Sequence, residues 1–147
     1  MVFAATSSVY GATPAPWRED SFADRPLSPY AASKRAAELY MHSESHLHGQ
    51  DVTLLRFFTV YGPRQRPDMA LARFAASARS GKSLIRFGDG EQRRDFTEVG
   101  DIVSGFVSAL SQPFGEGRYA IYNLGSAAPR SVNELITIVR SDAGSHG

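Results

Sequence analysis

The pattern that most restricts this chain is a strand–helix–strand succession in its first 58 residues. Residues 2–5 form a short apolar run that ends on Thr6-Ser7-Ser8. Residues 11–27 carry Pro14, Pro16 and Pro26 among scattered charges and are predicted as a loop. Ser28-Pro29 supplies an N-cap followed by a proline at the first helical position, so a helix is predicted from there to about His48, with Gly49 as its stop. Residues 51–58 are rich in β-formers and apolar, which predicts a mostly buried strand ended by Tyr61-Gly62-Pro63. Strands joined through a long helix pair in parallel, because only a crossover connection returns the chain in the same direction.

The remainder repeats the theme. Asp68 is placed to cap a helix over residues 69–80, with Gly81 at its end. A short strand is predicted at 84–87, before Gly88-Asp89-Gly90, a tight turn between two short strands. Residues 101–110 read as an amphipathic helix and 119–124 as a strand closed by Gly125. Ser131-Val132-Asn133-Glu134 is a capping box for a last helix to about Arg140, and the small, polar residues 141–147 are expected to fray. Alternating strands and helices predict an α/β protein with a largely parallel sheet.

Composition excludes several functions. The 147 residues hold 16 Lys+Arg and 15 Asp+Glu, a net charge of +1, which argues against nucleic acid or an anionic membrane as the main partner. There is no cysteine, so disulfides, thiolate metal sites and cysteine nucleophiles are excluded. No apolar run is long enough to span a bilayer, and the start lacks the basic segment of a signal peptide, so a cytoplasmic location is expected. The chain is expected to open inside a buried strand with no leader before it, an unusual position for a terminus.

The chemistry centres on Tyr30-Ala31-Ala32-Ser33-Lys34. Spacing of four on a helix stacks the two side chains on one face. A phenol is a weak base at neutral pH, but an adjacent ammonium stabilises its phenolate and fits it to take a proton from a sugar hydroxyl. An isolated pair of this kind is commonly incidental. Upstream, however, Thr6-Ser7-Ser8 places three hydroxyls at the carboxyl end of a predicted parallel strand, where α/β sheets bind ligands.

These residues carry a family resemblance. Thr6-Ser7-Ser8-Val9-Tyr10-Gly11, Ser28-Pro29-Tyr30-Ala31-Ala32-Ser33-Lys34, Leu55-Arg56-Phe57-Phe58-Thr59-Val60-Tyr61-Gly62-Pro63, Gly88-Asp89-Gly90, Arg94-Asp95-Phe96-Thr97, Asp101-Ile102-Val103 and Tyr122-Asn123-Leu124-Gly125 follow in order over nearly the whole chain. Together they resemble the extended short-chain dehydrogenase/reductase superfamily, in its NAD-dependent sugar-nucleotide epimerase/dehydratase branch. The stretch from Arg56 to Met69 is most similar to UDP-glucuronate 4-epimerases and related UDP-glucose enzymes.

The resemblance implies a partial Rossmann-like, doubly wound parallel fold. Residues 1–62 would be the C-terminal part of the NAD-binding domain, and 63–147 mostly nucleotide-sugar-binding region. It also implies NAD as cofactor, a UDP-sugar as substrate and a homodimer in the full-length form. Tyr30 would take the proton of the sugar C4 hydroxyl while hydride passes from C4 to NAD, and hydride would return to the other face of the 4-keto sugar. Thr6 would assist the proton transfer, with Ser7 as a secondary candidate, and Lys34 would hold the nicotinamide ribose and tune Tyr30. Tyr61 is a further cofactor-side position. Thr59, Arg66, Arg73 and Arg94 are implied on the substrate side, since a guanidinium suits bidentate binding of carboxylate or phosphate. Ser7-Ser8 stand where dehydratases of the family carry Asp-Glu, and Ser8 stands where decarboxylases have Glu, so epimerisation is favoured. Glucose/galactose and glucuronate/galacturonate pairs both stay open.

Other features have simpler readings. His42, His46 and His48 lack the third ligand and Glu of a metalloprotease pattern and are read as helix-end histidines. Trp17 is expected to pack, Arg93 to be plain surface charge, Asp95 to fix a loop or helix end, and Glu98, where the family has an aromatic, to be surface variation.

One departure is large. The sequence contains no Gly-x-x-Gly-x-x-Gly after a strand, the fingerprint that cradles a dinucleotide pyrophosphate. Two alternatives follow: the catalytic and substrate-side part of a longer 4-epimerase, or a non-catalytic remnant or half-protein needing a partner chain. Another NAD-dependent nucleotide-sugar dehydratase or reductase is a third. The chain alone is expected neither to hold NAD tightly nor to epimerise measurably, and strands 2–5 and 52–58 are expected to expose edges and an apolar face.

Overall fold

The structure, a computed structural model, describes residues 1–84, 86–111 and 119–144. Its elements are β1 (Val2–Thr6), a 3-10 turn (Ser7–Tyr10), α1 (Pro29–His48), β2 (Val52–Phe57), β3 (Thr59–Tyr61), α2 (Ala70–Arg79), β4 (Arg93–Glu98), α3 (Val99–Ser111), β5 (Tyr119–Leu124), β6 (Pro129–Ser131) and α4 (Val132–Gly144). They form two compact units, and both are discontinuous in sequence. The first comprises Met1–Phe58 and Gly100–Gly125, the second Thr59–Val99 and Ser126–Gly147.

In the first unit, β1, β2 and β5 form a parallel sheet in that order. Val2 lies opposite Thr53 and Thr6 opposite Phe57; on the other side of β2, Val52 lies opposite Tyr119 and Phe57 opposite Leu124. The expectation that 52–58 exposes an edge is corrected: β2 is central, and Val52, Leu54 and Leu55 are buried. A strand paired on both sides and covered on its faces reads as a continuous apolar run, as β2 does. Helix α1 begins and ends where its sequence dictates. Ser28 Oγ accepts from Ala31 N at 3.1 Å, Pro29 is the first helical residue, and Gly49 at φ +63° closes it.

The loop between the 3-10 turn and α1 is held from within. Gly11 has φ +55°, and a Cβ there would lie 2.0 Å from Arg25 O, so only glycine fits. Trp17 packs as expected: its ring stacks on Tyr10 with centroids 5.3 Å apart, and its Nε1 donates to Thr13 O at 2.7 Å.

In the second unit, β3 pairs parallel with β4, and β4 antiparallel with β6. The capping box is reciprocal: Ser131 Oγ accepts from Glu134 N at 3.1 Å, and Ser131 N donates to Glu134 Oε2 at 2.7 Å. Four expectations are corrected here. Met69, not Asp68, is the N-cap of α2, and it makes no side-chain cap bond. Residues 82–84, 86 and 87 are not a strand, and Ile85 lies outside the described residues. The Gly88–Gly90 turn precedes β4 but follows no strand among the described residues of 82–87, and Asn133 fills it, donating to Asp89 O at 3.1 Å. Helix α4 runs past Arg140 to Gly144, while residues 145–147 lie outside the described residues. No helix among the described residues is long and apolar enough to cross a membrane.

Candidate active site and ligand pocket

At the carboxyl end of β1 the chain turns sharply at its three hydroxyls. Thr6 is buried, and its Oγ1 accepts from Ser8 N at 3.2 Å, capping the turn that Ser7 begins. Tyr30 is the second residue of α1 and is 56% exposed. One helical turn on, Lys34 Nζ donates to Ala4 O at 2.9 Å and lies 4.9 Å from the Phe3 ring centroid. The helix that carries Tyr30 is thus tied to β1 two residues before Thr6. An ammonium has three donors, and this bond uses one. Thr6, Ser7, Tyr30 and Lys34 belong to the first unit; Thr59, Tyr61, Arg66, Arg73 and Arg94 belong to the second.

The first unit also holds a buried polar cluster that sequence reasoning missed. Arg56 is 1% exposed and Glu38 0%. Arg56 Nε and Nη2 donate to the two Glu38 carboxylate oxygens at 2.9 and 2.8 Å, while Nη1 donates to Tyr10 Oη at 3.0 Å and Glu19 O at 3.2 Å. Tyr10 Oη in turn donates to Asn123 Oδ1 at 2.6 Å. Arg35 Nη1 adds a third bond to Glu38 at 3.0 Å and is itself paired with Asp24. Burial opposes the Arg56 charge, but the bonds to Glu38 and Tyr10 outweigh it and hold the guanidinium above its ordinary value. Burial first, and Glu38 second, push the Tyr119 phenol up, and Tyr119 Oη donates to Glu38 O at 3.3 Å. The signal in the sequence was an arginine inside the apolar run Leu54-Leu55-Arg56-Phe57-Phe58, which requires a buried acidic partner.

The second unit contains a cavity of about 500 Å³. Phe74, Phe87, Phe96, Met69 and Leu135 give it apolar walls; Thr59, Gln65, Gln92, Arg73 and Arg94 supply its polar groups. Arg73 and Arg94 have no carboxylate partner among the described residues. Arg66 is placed differently. It is exposed, grips Asp68 through Nε at 3.2 Å and Nη2 at 2.9 Å, and does not line the cavity. Tyr61 lies opposite Glu98 on β3, half-buried and also outside the lining.

Asp95 fixes a loop: its carboxylate accepts from Ser126 N, Ser126 Oγ and Ala127 N at 2.7–2.9 Å. Arg93 is corrected from plain surface charge, since it donates to Pro129 O at 2.7 Å and lies 3.4 Å from Glu134. His42 sits edge-on to Tyr119, and no group of three or more possible metal ligands occurs among the described residues.

Comparison with known proteins gives consistent matches. Residues 1–125 match the model of the NAD dependent epimerase/dehydratase family. A UDP-glucuronate 4-epimerase of Thermodesulfobacterium geofontis is 46% identical over 140 residues, which is 95% of this chain and 42% of that protein. The crystal structure of UDP-glucuronic acid 4-epimerase from Bacillus cereus in complex with UDP-glucuronic acid and NAD superposes with a TM-score of 0.90 at 38% identity, covering 97% of this chain and 45% of that one. An NAD-dependent NDP-hexosamine 5,6-dehydratase of tunicamycin biosynthesis superposes with a TM-score of 0.86 at 38% identity, covering 98% and 46%. The chain spans less than half the length of these relatives.

Proposed function

Because this chain belongs to the NAD dependent epimerase/dehydratase family, we propose that it carries the catalytic and substrate-side part of an NAD-dependent UDP-sugar 4-epimerase, of the UDP-glucuronate or UDP-glucose type. The observation that carries this reading is the bond from Lys34 Nζ to Ala4 O, which ties the Tyr30 helix to the strand that ends on Thr6. A base, an ammonium and a hydroxyl then flank the carboxyl end of a parallel strand, the place where such sheets bind ligands.

The residues fit one end of the cofactor. The exposed Tyr30 phenol and the remaining donors of Lys34 suit the nicotinamide ribose, and Tyr61 is proposed as a further cofactor contact. The sequence has no glycine fingerprint for the pyrophosphate. When bound, NAD supplies reversible hydride acceptance at a sugar carbon. Tyr30, as phenolate, takes the C4 hydroxyl proton and later returns it. Thr6 donates a hydrogen bond to the reacting oxygen, with Ser7 as an alternative donor. Lys34 stabilises the phenolate by its positive charge.

The cavity of the second unit supports a nucleoside diphosphate as the shared part of the substrate. Its aromatic walls suit a planar base, and two guanidinium groups without carboxylate partners among the described residues suit phosphate oxygens. Thr59 is proposed to contact the sugar. Arg66 is proposed to leave Asp68 for a substrate carboxylate or phosphate. Epimerisation is preferred over dehydration because Ser7-Ser8 lack the acid and base that elimination of water requires. A homodimer is proposed on the exposed Leu39, Tyr40 and Leu47 of α1.

The test is conversion of UDP-glucuronate in the presence of NAD by a full-length protein that contains these residues, followed by NMR, with Tyr30→Phe as control. Turnover lost in the variant supports the reading. The absent fingerprint favours a second reading, a remnant or a half-protein needing a partner chain. That reading predicts no NAD retention and no turnover by this chain, and retained NAD with Tyr30-dependent turnover would overturn it.

A further inference from the structure

We propose that Arg56 is a positioning residue: it sets the placement of the Tyr30–Lys34 helix face relative to the Thr6 hydroxyl turn by clamping Glu38 on one side and Tyr10 on the other. The proposal rests on the reading of Thr6, Tyr30 and Lys34 as the reacting groups. Tyr30, Lys34 and Glu38 lie at successive intervals of four on α1, so they share one stripe of that helix. Fixing Glu38 fixes the rotation of the stripe. Glu38 is completely buried and receives both forks of the Arg56 guanidinium, a geometry that admits little rotation. Tyr10 closes the 3-10 turn that begins at Ser7, and its hydroxyl takes the third Arg56 bond. The same guanidinium therefore ends on the helix with the base and on the turn with the hydroxyls.

Stability alone does not account for such a cluster. Packed apolar residues of the same volume commonly stabilise a core as well as a buried ion pair does. What apolar contacts lack is direction. A planar fork with Glu38 at one edge and Tyr10 and Glu19 O at another defines both distance and angle. The onward bond from Tyr10 to Asn123 anchors the clamp to β5.

The test uses the 147-residue chain and two mild variants, Tyr10→Phe and Glu38→Gln. Hydrogen exchange is read by NMR at two reporters, the Ser8 amide, bonded to Thr6 Oγ1, and the Lys34 ammonium, bonded to Ala4 O. A hub predicts cross-talk. Tyr10→Phe speeds exchange of the Lys34 ammonium, and Glu38→Gln speeds exchange of the Ser8 amide, each by about tenfold, the size of one lost hydrogen bond. Effects confined to each variant's own side would overturn the proposal. If Glu38→Gln does not fold, Tyr10→Phe decides alone: unchanged Lys34 exchange overturns the proposal. Failure of the catalytic reading looks different, as Tyr30→Phe without effect on turnover.

Discussion

Lys34 Nζ lies 2.9 Å from Ala4 O, so the ammonium that is proposed to tune Tyr30 also fastens its helix to the first strand. Lys34→Met removes the bond and the charge but keeps the apolar stem. Urea unfolding is expected to show a loss of about 1 kcal/mol, the value of one hydrogen bond. Any turnover is expected to fall far more, by about 10²–10⁴-fold, because proton transfer loses the ammonium proposed to assist its base. Equal losses in the two measurements would remove Lys34 from the chemistry.

Glu38 and Arg56 form a buried pair in which complete removal of one member strands the other. Glu38→Leu leaves a buried guanidinium with only Tyr10 and a carbonyl, and is expected to cost about 3–5 kcal/mol. Adding Arg56→Met removes the stranded charge and is expected to recover a good part of that loss. A double-mutant cycle by chemical denaturation measures it.

Glu134 gives a pH dependence with a defined sign. The bond from Ser131 N, aided by Arg93 and Arg130, holds its carboxyl below the ordinary value of 4.5. The unfolded chain therefore binds this proton at higher pH than the folded one. The stabilisation is complete above the unfolded value and disappears as pH falls through the folded value. The stability difference between the native chain and Glu134→Gln is expected to be constant between about pH 5 and 8 and to shrink on further acidification. Denaturant melts across the range check it.

Gly11→Ala tests the loop that precedes α1. The positive φ costs about 1–3 kcal/mol for a residue with a Cβ, and the new methyl would meet Arg25 O at 2.0 Å. Lower thermal stability is expected, together with changed Trp17 fluorescence, since Trp17 stacks on Tyr10 in the neighbouring turn.

In the second unit, Arg73→Gln and Arg94→Gln are each expected to weaken UDP binding by about ten- to a hundredfold, the effect of a lost charge-assisted bond. Arg66→Gln is expected to weaken UDP-glucuronate more than UDP-glucose if Arg66 holds the carboxylate, and both alike if it holds phosphate. Calorimetric titration of the two ligands separates these outcomes.

Much of the first unit was legible because its signals are local. The Ser28-Pro29 start and Gly49 stop define α1, and the apolar runs define β2 and β5. The capping box at Ser131 was legible for the same reason. β3 and β6 have three residues each and exist only through pairing with β4, so no local pattern announces them. Asp68 satisfied the rule for a cap, but Arg66, two residues away, offered a stronger partner. The need of Arg56 for an acid was readable, whereas its choice of Glu38 depends on how α1 lies against β2.

The pairing of Val52 with Tyr119 and of Phe57 with Leu124 also bears on the order in which the chain folds. The central strand of the first sheet must wait for a partner made after β3, α2 and β4 have all been synthesised. Closing such a distant contact costs loop entropy before it returns any stabilisation, and contacts of this range slow folding. During synthesis this edge of β2 stays unpaired until residues 119–124 have been made. That interval, rather than the finished fold, is where this sequence is most exposed to misassociation.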